Sequence, residues 1–219
     1  MRILCVSYRK WALDIYDNLA STTDHIYLII RTKKQYNKEI IRDFKPDIIL
    51  YYGWSWFVDN DIISNYKCIM LHPSPLPKYR GGSPIQNQII NGEKKSAVSL
   101  FFMNDKMDEG NIIAQEEISL EGSLDDIFKR ITNTGFRLTK DKILNVKNII
   151  SIPQDNQFAT YCKRRTPQES EITFEEITSQ PATYLYNKIR MLADPYPNAF
   201  IRTIDGKRLV IKEVKIIDD

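Results

Sequence analysis

Two side chains in this sequence have the chemistry and the placement to move a proton. His72 directly follows the apolar run Lys67–Leu71, and Asp108 lies in the polar stretch 104–111 between two further apolar runs. A histidine titrates near neutrality and can carry a proton to or from an attacking amine. A carboxylate beside it orients the imidazole and stabilises its cationic form. Alone, a histidine after a strand is more often a loop or capping residue, so the reading requires a fold that brings the two together. Lys163, Arg164 and Arg165 form the densest basic cluster, suited to a pyrophosphate or to a solvated basic turn. Tyr196, between Pro195 and Pro197, is held stiffly enough to stack on a base, and Trp54 and Trp56 read as core or cleft wall. After the first strand stands Ser7-Tyr8-Arg9-Lys10, without the glycine pattern of a dinucleotide cradle. With His25 and His72 the only histidines, no metal centre is expected.

The elements that must position these groups follow from periodicity. Arg2–Ser7, His25–Ile30, Asp47–Tyr51 and Lys67–Leu71 are short β-branched or apolar runs and predict strands. Ala12–Leu19 and Glu39–Phe44 carry helical spacing between them. Strand–helix alternation predicts a mostly parallel, Rossmann-like α/β sheet flanked by helices, with ligands outside the carboxyl ends of its strands. The prolines of His72–Pro77 stiffen the next loop, and Ser83-Pro84 predicts an N-cap with proline at the first position of a helix over Ile85–Ile90. Ser96–Met103 and Ile112–Leu120 are two further strands, and Ser123 caps a helix that runs to about Ile150. A boundary near 155 separates a catalytic domain, 1–155, from a small α+β tail, 156–219. The tail holds a helix over Ala182–Leu192 and a hairpin whose Asp205-Gly206 predicts a type I′ turn.

With 219 residues, 42% apolar and 27% charged, the chain has the composition of an ordinary globular protein. A net charge of +3 without a dense basic block argues against a nucleic-acid partner. The N-terminus shows no secretory signal, and runs such as Ile48–Tyr52 are too short to span a bilayer, so a cytoplasmic protein without a membrane partner is expected. Cys5, Cys68 and Cys162, odd in number and far apart, read as free thiols of a reducing compartment.

The segment HPSPLPKYRGGSPIQ, followed by MDEGNIIAQ, resembles the signature of the folate-dependent formyltransferases. That group acts on methionyl-tRNA, glycinamide ribonucleotide or nucleotide-linked amino sugars. The resemblance covers most of residues 1–215 and places His72 and Asp108, 36 positions apart, on the family's catalytic histidine and aspartate. YCKRRTPQES and ADPYPNAF are similar to segments of sugar N-formyltransferases, including the domain that formylates a UDP-linked 4-amino-4-deoxy-arabinose. The resemblance implies formyl transfer from 10-formyltetrahydrofolate to the amine of a nucleoside diphosphate amino sugar, a step of lipopolysaccharide biosynthesis. It puts Trp54, Ser74, Leu76 and Gly110 on the reduced-folate side. Lys163, Arg164, Arg165 and Tyr196 fall on the sugar-nucleotide side, and Arg80 either contacts a phosphate or pins the proline-rich loop. Glycinamide ribonucleotide and aminoacyl-tRNA are the alternative acceptors, the short tail speaking against tRNA. Apolar edges of the tail hairpin suit a homodimer.

One residue departs from the pattern. Two positions before the histidine the family has an asparagine that holds the developing oxyanion, and this chain has Met70. Losing such a donor costs on the order of 10²–10³ in rate, and a thioether donates nothing. Either a backbone N–H or another side chain such as Asn104 supplies the donor, or activity is weak, or the chain is a sugar-nucleotide-binding homologue.

Overall fold

The computed structural model describes residues 1–217. β1 (Arg2–Val6) leads into α1 (Lys10–Thr22), and β2 (Ile26–Ile30) into α2 (Lys38–Phe44). β3 (Ile48–Tyr52), the short α3 (Asn60–Asn65) and β4 (Cys68–His72) follow. After the proline-rich loop come β5 (Arg80–Gly81), α4 (Pro84–Ile90), β6 (Lys95–Phe102), β7 (Ile112–Ser119) and α5 (Leu124–Thr139). The remainder holds β8 (Tyr161–Cys162), α6 (Phe174–Ser179), α7 (Ala182–Arg190) and the hairpin β9 (Ala199–Arg202) to β10 (Arg208–Ile211).

Six strands form one sheet in the order β2-β1-β3-β4-β6-β7. The first four are parallel, as the alternation predicts; β6 runs antiparallel to β4 and β7 antiparallel to β6. Successive strand residues point to opposite faces, which divides the core in two. Ile3, Cys5, Leu50 and Leu71 pack with α1 and α5 on one face; Leu4, Val6, Ile49 and Cys68 pack with α2 and α3 on the other. Each fully buried leucine or isoleucine contributes about 1.5–3 kcal/mol relative to exposure, so a one-residue slip of register would invert both faces. The contact between α5 and the end of β4 is tight: a Cβ on Gly135 would stand 2.6 Å from Leu71 Cδ1.

Several expectations are corrected. The last helix of the sheet region does not reach Ile150: after Thr139 the backbone widens into a single π turn, with Asn145 N–H bonded to Lys140 O, and the helix stops. Val146 and Ile150, which would have continued it, are exposed. Ser83 does not cap α4 with its side chain. Its φ is 51°, and its hydroxyl instead accepts the backbone N–H of Arg165 at 3.1 Å. In the tail hairpin only Gly206 has positive φ (78°). Gly206 N–H closes on Thr203 O, giving a type I turn followed by a left-handed glycine rather than a type I′ pair. Ile189, Met191, Leu192 and Ala199, from the last part of the chain, join the buried cluster of α1 and α5. The hairpin leaves Leu209 and Val210 exposed. No helix among the described residues is long and apolar enough to cross a membrane.

Candidate active site

His72 closes β4 with 5% of its surface exposed. Its Nε2 lies 2.8 Å from the carbonyl oxygen of Tyr79. A carbonyl only accepts, so Nε2 keeps the proton and Nδ1 carries the free lone pair. Nδ1 stands 3.6 Å from Asp108 Oδ2. That is too long for a hydrogen bond and within ion-pair range once the ring is protonated. Asp108 Oδ2 also accepts the backbone N–H of Gly81 at 2.8 Å, which fixes the carboxylate.

Asp108 arrives by an unexpected route. Because β6 is antiparallel, Met103 N–H bonds Cys68 O at the start of β4. The loop therefore leaves β6 at the end away from His72 and folds back along the crevice. Met107 and Asp108 line the same cavity, of about 580 Å³, as Met70, Leu71 and His72. Both loops are strained: Asp108 in one, and Tyr79 and Ser83 in the other, have φ of 55°, 59° and 51°, a region that costs a non-glycine residue roughly 1–3 kcal/mol and tends to mark functional sites.

Arg80 and Gln154 hold the loop of Asp108. Arg80 is 1% exposed. It donates from Nε and Nη2 to Gln154 Oε1 (3.1 and 2.8 Å), from Nη2 to Asn156 Oδ1 (2.8 Å) and from Nη1 to the Tyr161 hydroxyl (2.9 Å). The amide nitrogen of Gln154 donates onward to the carbonyls of Asp108 and Gly110, both at 2.8 Å. Tyr161 donates to Glu109, and that bond, helped by Arg80 and Lys106, holds the Glu109 carboxyl below the usual carboxylate range. Arg80 directs these hydrogen bonds to the loop and does not line the cavity.

The other expected residues divide. Trp54, Lys163, Arg164 and Tyr196 line the cavity with His72, Asp108 and Met70. Ser74, Leu76 and Gly110 do not. Ser74 is fully buried and donates to Lys78 O at 2.7 Å, and Leu76 is 3% exposed with its carbonyl taken by Gln115. A Cβ at Gly110 would sit 1.6 Å from Phe102 O, so this glycine permits a backbone crossing. Arg165 turns away and pairs with Glu169 at 3.7 Å. Asn104 lines the cavity, and its Oδ1 accepts the backbone N–H of Lys106 at 3.0 Å.

Sequence reasoning missed four contributors. Gly81 and Gly82 let the 161–164 segment lie directly on the loop, since a Cβ on either would stand 2.4–2.5 Å from Cys162 O or Arg164 Cα. This approach brings Lys163 and Arg164 to the rim. Arg9 lines the cavity with its guanidinium over the rings of Tyr8 (4.6 Å) and Tyr196 (5.3 Å). No carboxylate among the described residues pairs with Arg9, Lys163 or Arg164. Gln86, in the first turn of α4, lines the cavity at 4% exposure, and its Nε2 has no hydrogen-bond partner. Trp54 Nε1 is likewise buried and unpartnered. The advance signals were position after β1 for Arg9, and membership of the signature segment for Gly81, Gly82 and Gln86. Among the described residues no cluster of His, Cys, Asp and Glu is arranged to hold a metal ion.

Comparison with known proteins adds independent findings. The sequence profile of the formyl transferase family matches residues 21–143. A methionyl-tRNA formyltransferase of Ehrlichia canis (strain Jake) is 30% identical over 191 residues, 85% of this chain and 60% of that protein. The chain thus spans about 60% of that relative's length. A structure of a methionyl-tRNA formyltransferase from Clostridium thermocellum superposes with a TM-score of 0.84 and 28% identity, covering 100% of both chains. A 4-N formyltransferase from Francisella tularensis has a TM-score of 0.78 at 20% identity, covering 99% of this chain and 98% of that one. HypX from Aquifex aeolicus in complex with tetrahydrofolic acid has a TM-score of 0.81 at 19% identity, covering 97% of this chain and 37% of that one.

Proposed function

The chain belongs to the formyl transferase family, and on that premise we propose that it moves a formyl group from 10-formyltetrahydrofolate to the amine of a nucleotide-linked amino sugar. The observation that carries the chemistry is the Nδ1 of His72, free to accept a proton, 3.6 Å from the fixed carboxylate of Asp108. A neutral amine attacks the formyl carbon, a C–N bond forms and charge builds on the formyl oxygen. His72 Nδ1 takes the proton from the attacking nitrogen and returns it to the carrier nitrogen as the old C–N bond breaks. Asp108 faces the imidazolium in the interval, while the Tyr79 carbonyl keeps the ring from turning.

The residues present fit a folate donor. Trp54, Trp56 and Met70 offer an apolar wall to a flat ring, and the unpartnered Nε1 of Trp54 offers it a donor. The carrier supplies the formyl carbon and a nitrogen that leaves. HypX, which shares the fold, is described with tetrahydrofolic acid bound.

The sugar-nucleotide reading is supported by the cavity's unpaired cations. Arg9, Lys163 and Arg164 line it together with Tyr196, a set of side chains suited to a diphosphate with an adjoining base. A sugar N-formyltransferase from Shewanella sp FDAARGOS_354 shares the fold and extent, which supports the same reading. A second reading, an aminoacyl-tRNA acceptor, is favoured by the 30% identity to the Ehrlichia canis protein. The deciding experiment offers the formyl donor with UDP-, dTDP- and GDP-linked amino sugars, glycinamide ribonucleotide and methionyl-tRNA in parallel. Formylation of one nucleotide sugar with micromolar KM is expected. Formylation of methionyl-tRNA alone replaces the acceptor and keeps the chemistry.

A further inference from the structure

Any acyl transfer places negative charge on the carbonyl oxygen, and the largest catalytic gain comes from a donor already aimed at that oxygen in a dry site. Met70, two residues before His72 and on the same face of β4, lines the cavity but has no proton to give. The wall that carries Asp108's anchor supplies another group. Gly81, whose N–H holds Asp108, begins a cavity-lining stretch that continues through Pro84 and Ile85 to Gln86. Gln88 Nε2, two residues on, donates to the carbonyl of Pro73 at 2.9 Å, which ties α4 to the residue after His72. Buried polar groups nearly always find a partner, and an exception calls for a reason. Gln86 Nε2 is such an exception, out of water and bonded to nothing.

Resting on the formyl-transfer reading above, we infer that the side-chain amide of Gln86 donates a hydrogen bond to the formyl oxygen and supplies the oxyanion donor that Met70 does not. Gln86 is then a catalytic residue, and its missing partner is the substrate. Of the cavity-lining residues Trp54 carries the other unpartnered donor, and it sits in the aromatic wall with Tyr8, Tyr36 and Trp56. Its acceptor belongs to the ring of the donor molecule and not to the formyl group.

The test compares wild type with Gln86→Met, which keeps the length and loses the amide, and with Trp54→Phe. Gln86→Glu serves as the second variant should the first fail to fold. In turnover, Gln86→Met is expected to lower kcat on the order of 10²–10³-fold, with both KM values within about threefold and the Tm unchanged or raised, because an unpartnered buried donor stabilises nothing. Binding provides a readout without turnover: titration calorimetry with 10-formyl-5,8-dideazafolate and with its unformylated parent. Wild type should prefer the formylated compound by about 2–10-fold, the worth of one net hydrogen bond. Gln86→Met should lose that preference, and Trp54→Phe should weaken both compounds equally. Adding Met70→Asn to Gln86→Met should restore part of the lost kcat. The inference falls if Gln86→Met keeps wild-type kcat and formyl preference, or if Trp54→Phe is the variant that loses the preference. A wild type that binds neither compound overturns the formyl-transfer reading, and this assignment with it. A wild type that prefers the formylated compound yet formylates none of the nucleotide sugars leaves the assignment standing and removes only the acceptor.

Discussion

Replacing Arg80 by methionine removes a cation that is 1% exposed and donates four hydrogen bonds, to Gln154 (twice), Asn156 and Tyr161, with Glu109 Oε1 a further 3.5 Å from Nη1. Breaking a buried charged network by deleting one partner typically costs about 3–5 kcal/mol, because the remaining groups stay buried and unpaired. In a chain of this size each kcal/mol lowers the melting temperature by about 2–4 °C, so Arg80→Met should melt about 6–20 °C below wild type. The damage should spread along one path: Gln154, no longer held, releases the carbonyls of Asp108 and Gly110, and kcat falls with the loosened Asp108. Calorimetric melting and steady-state kinetics on the same preparations separate this account from a phosphate-binding Arg80. An unchanged melting temperature together with a tenfold rise in the acceptor KM would show that the arginine serves the ligand, and the structural role assigned here would be wrong.

Gly110→Ala should be more severe than an ordinary loop change. Its Cβ would lie 1.6 Å from Phe102 O, so the loop must move, and soluble yield, melting temperature and turnover should fall together; a normal melting profile would contradict the crossing geometry. Acid stability should depend on Glu176, which Lys188 Nζ meets at 2.6 and 2.8 Å. Burial alone would raise this carboxyl, but Lys188 and the backbone N–H of Thr173 leave it below the ordinary value. The sign for a depressed acid is stability fully present above the unfolded value near 4.3 and lost as pH falls below it through the folded value. Urea midpoints between pH 7 and pH 3 should therefore hold level and then drop, and Glu176→Gln should flatten the drop while lowering the plateau.

What the sequence made legible follows from how local each signal is. The four parallel strands and their helices rest on short apolar runs and helical spacing, and both survive in the fold. The direction of β6 did not show, because Ser96–Phe101 is buried on both faces and so lacks the alternation that marks a half-exposed antiparallel strand. The His72–Asp108 pair was readable from residue type and spacing, although the strand-end rule gave the wrong path for Asp108. Arg80's surroundings were hidden because its hydrogen-bond partners lie 74 to 81 residues away and are neutral side chains. Ser74, Leu76 and Gly110 stand at motif positions and are packed within their loops, which a motif cannot distinguish from ligand contact. Gln86 closes the signature segment but gained no role from it, since an amide in a helix start looks the same whether or not it has a partner.

The central claim is that the His72–Asp108 pair transfers a formyl group. Single-turnover mixing of enzyme, 10-formyltetrahydrofolate and the nucleotide-linked amino sugar found by the acceptor panel, with formylated product followed by mass spectrometry, tests it most directly. Wild type should form the N-formyl product, and His72→Asn should form it about 10²–10⁴-fold more slowly with an unchanged melting temperature. Equal rates in the two proteins would contradict the account.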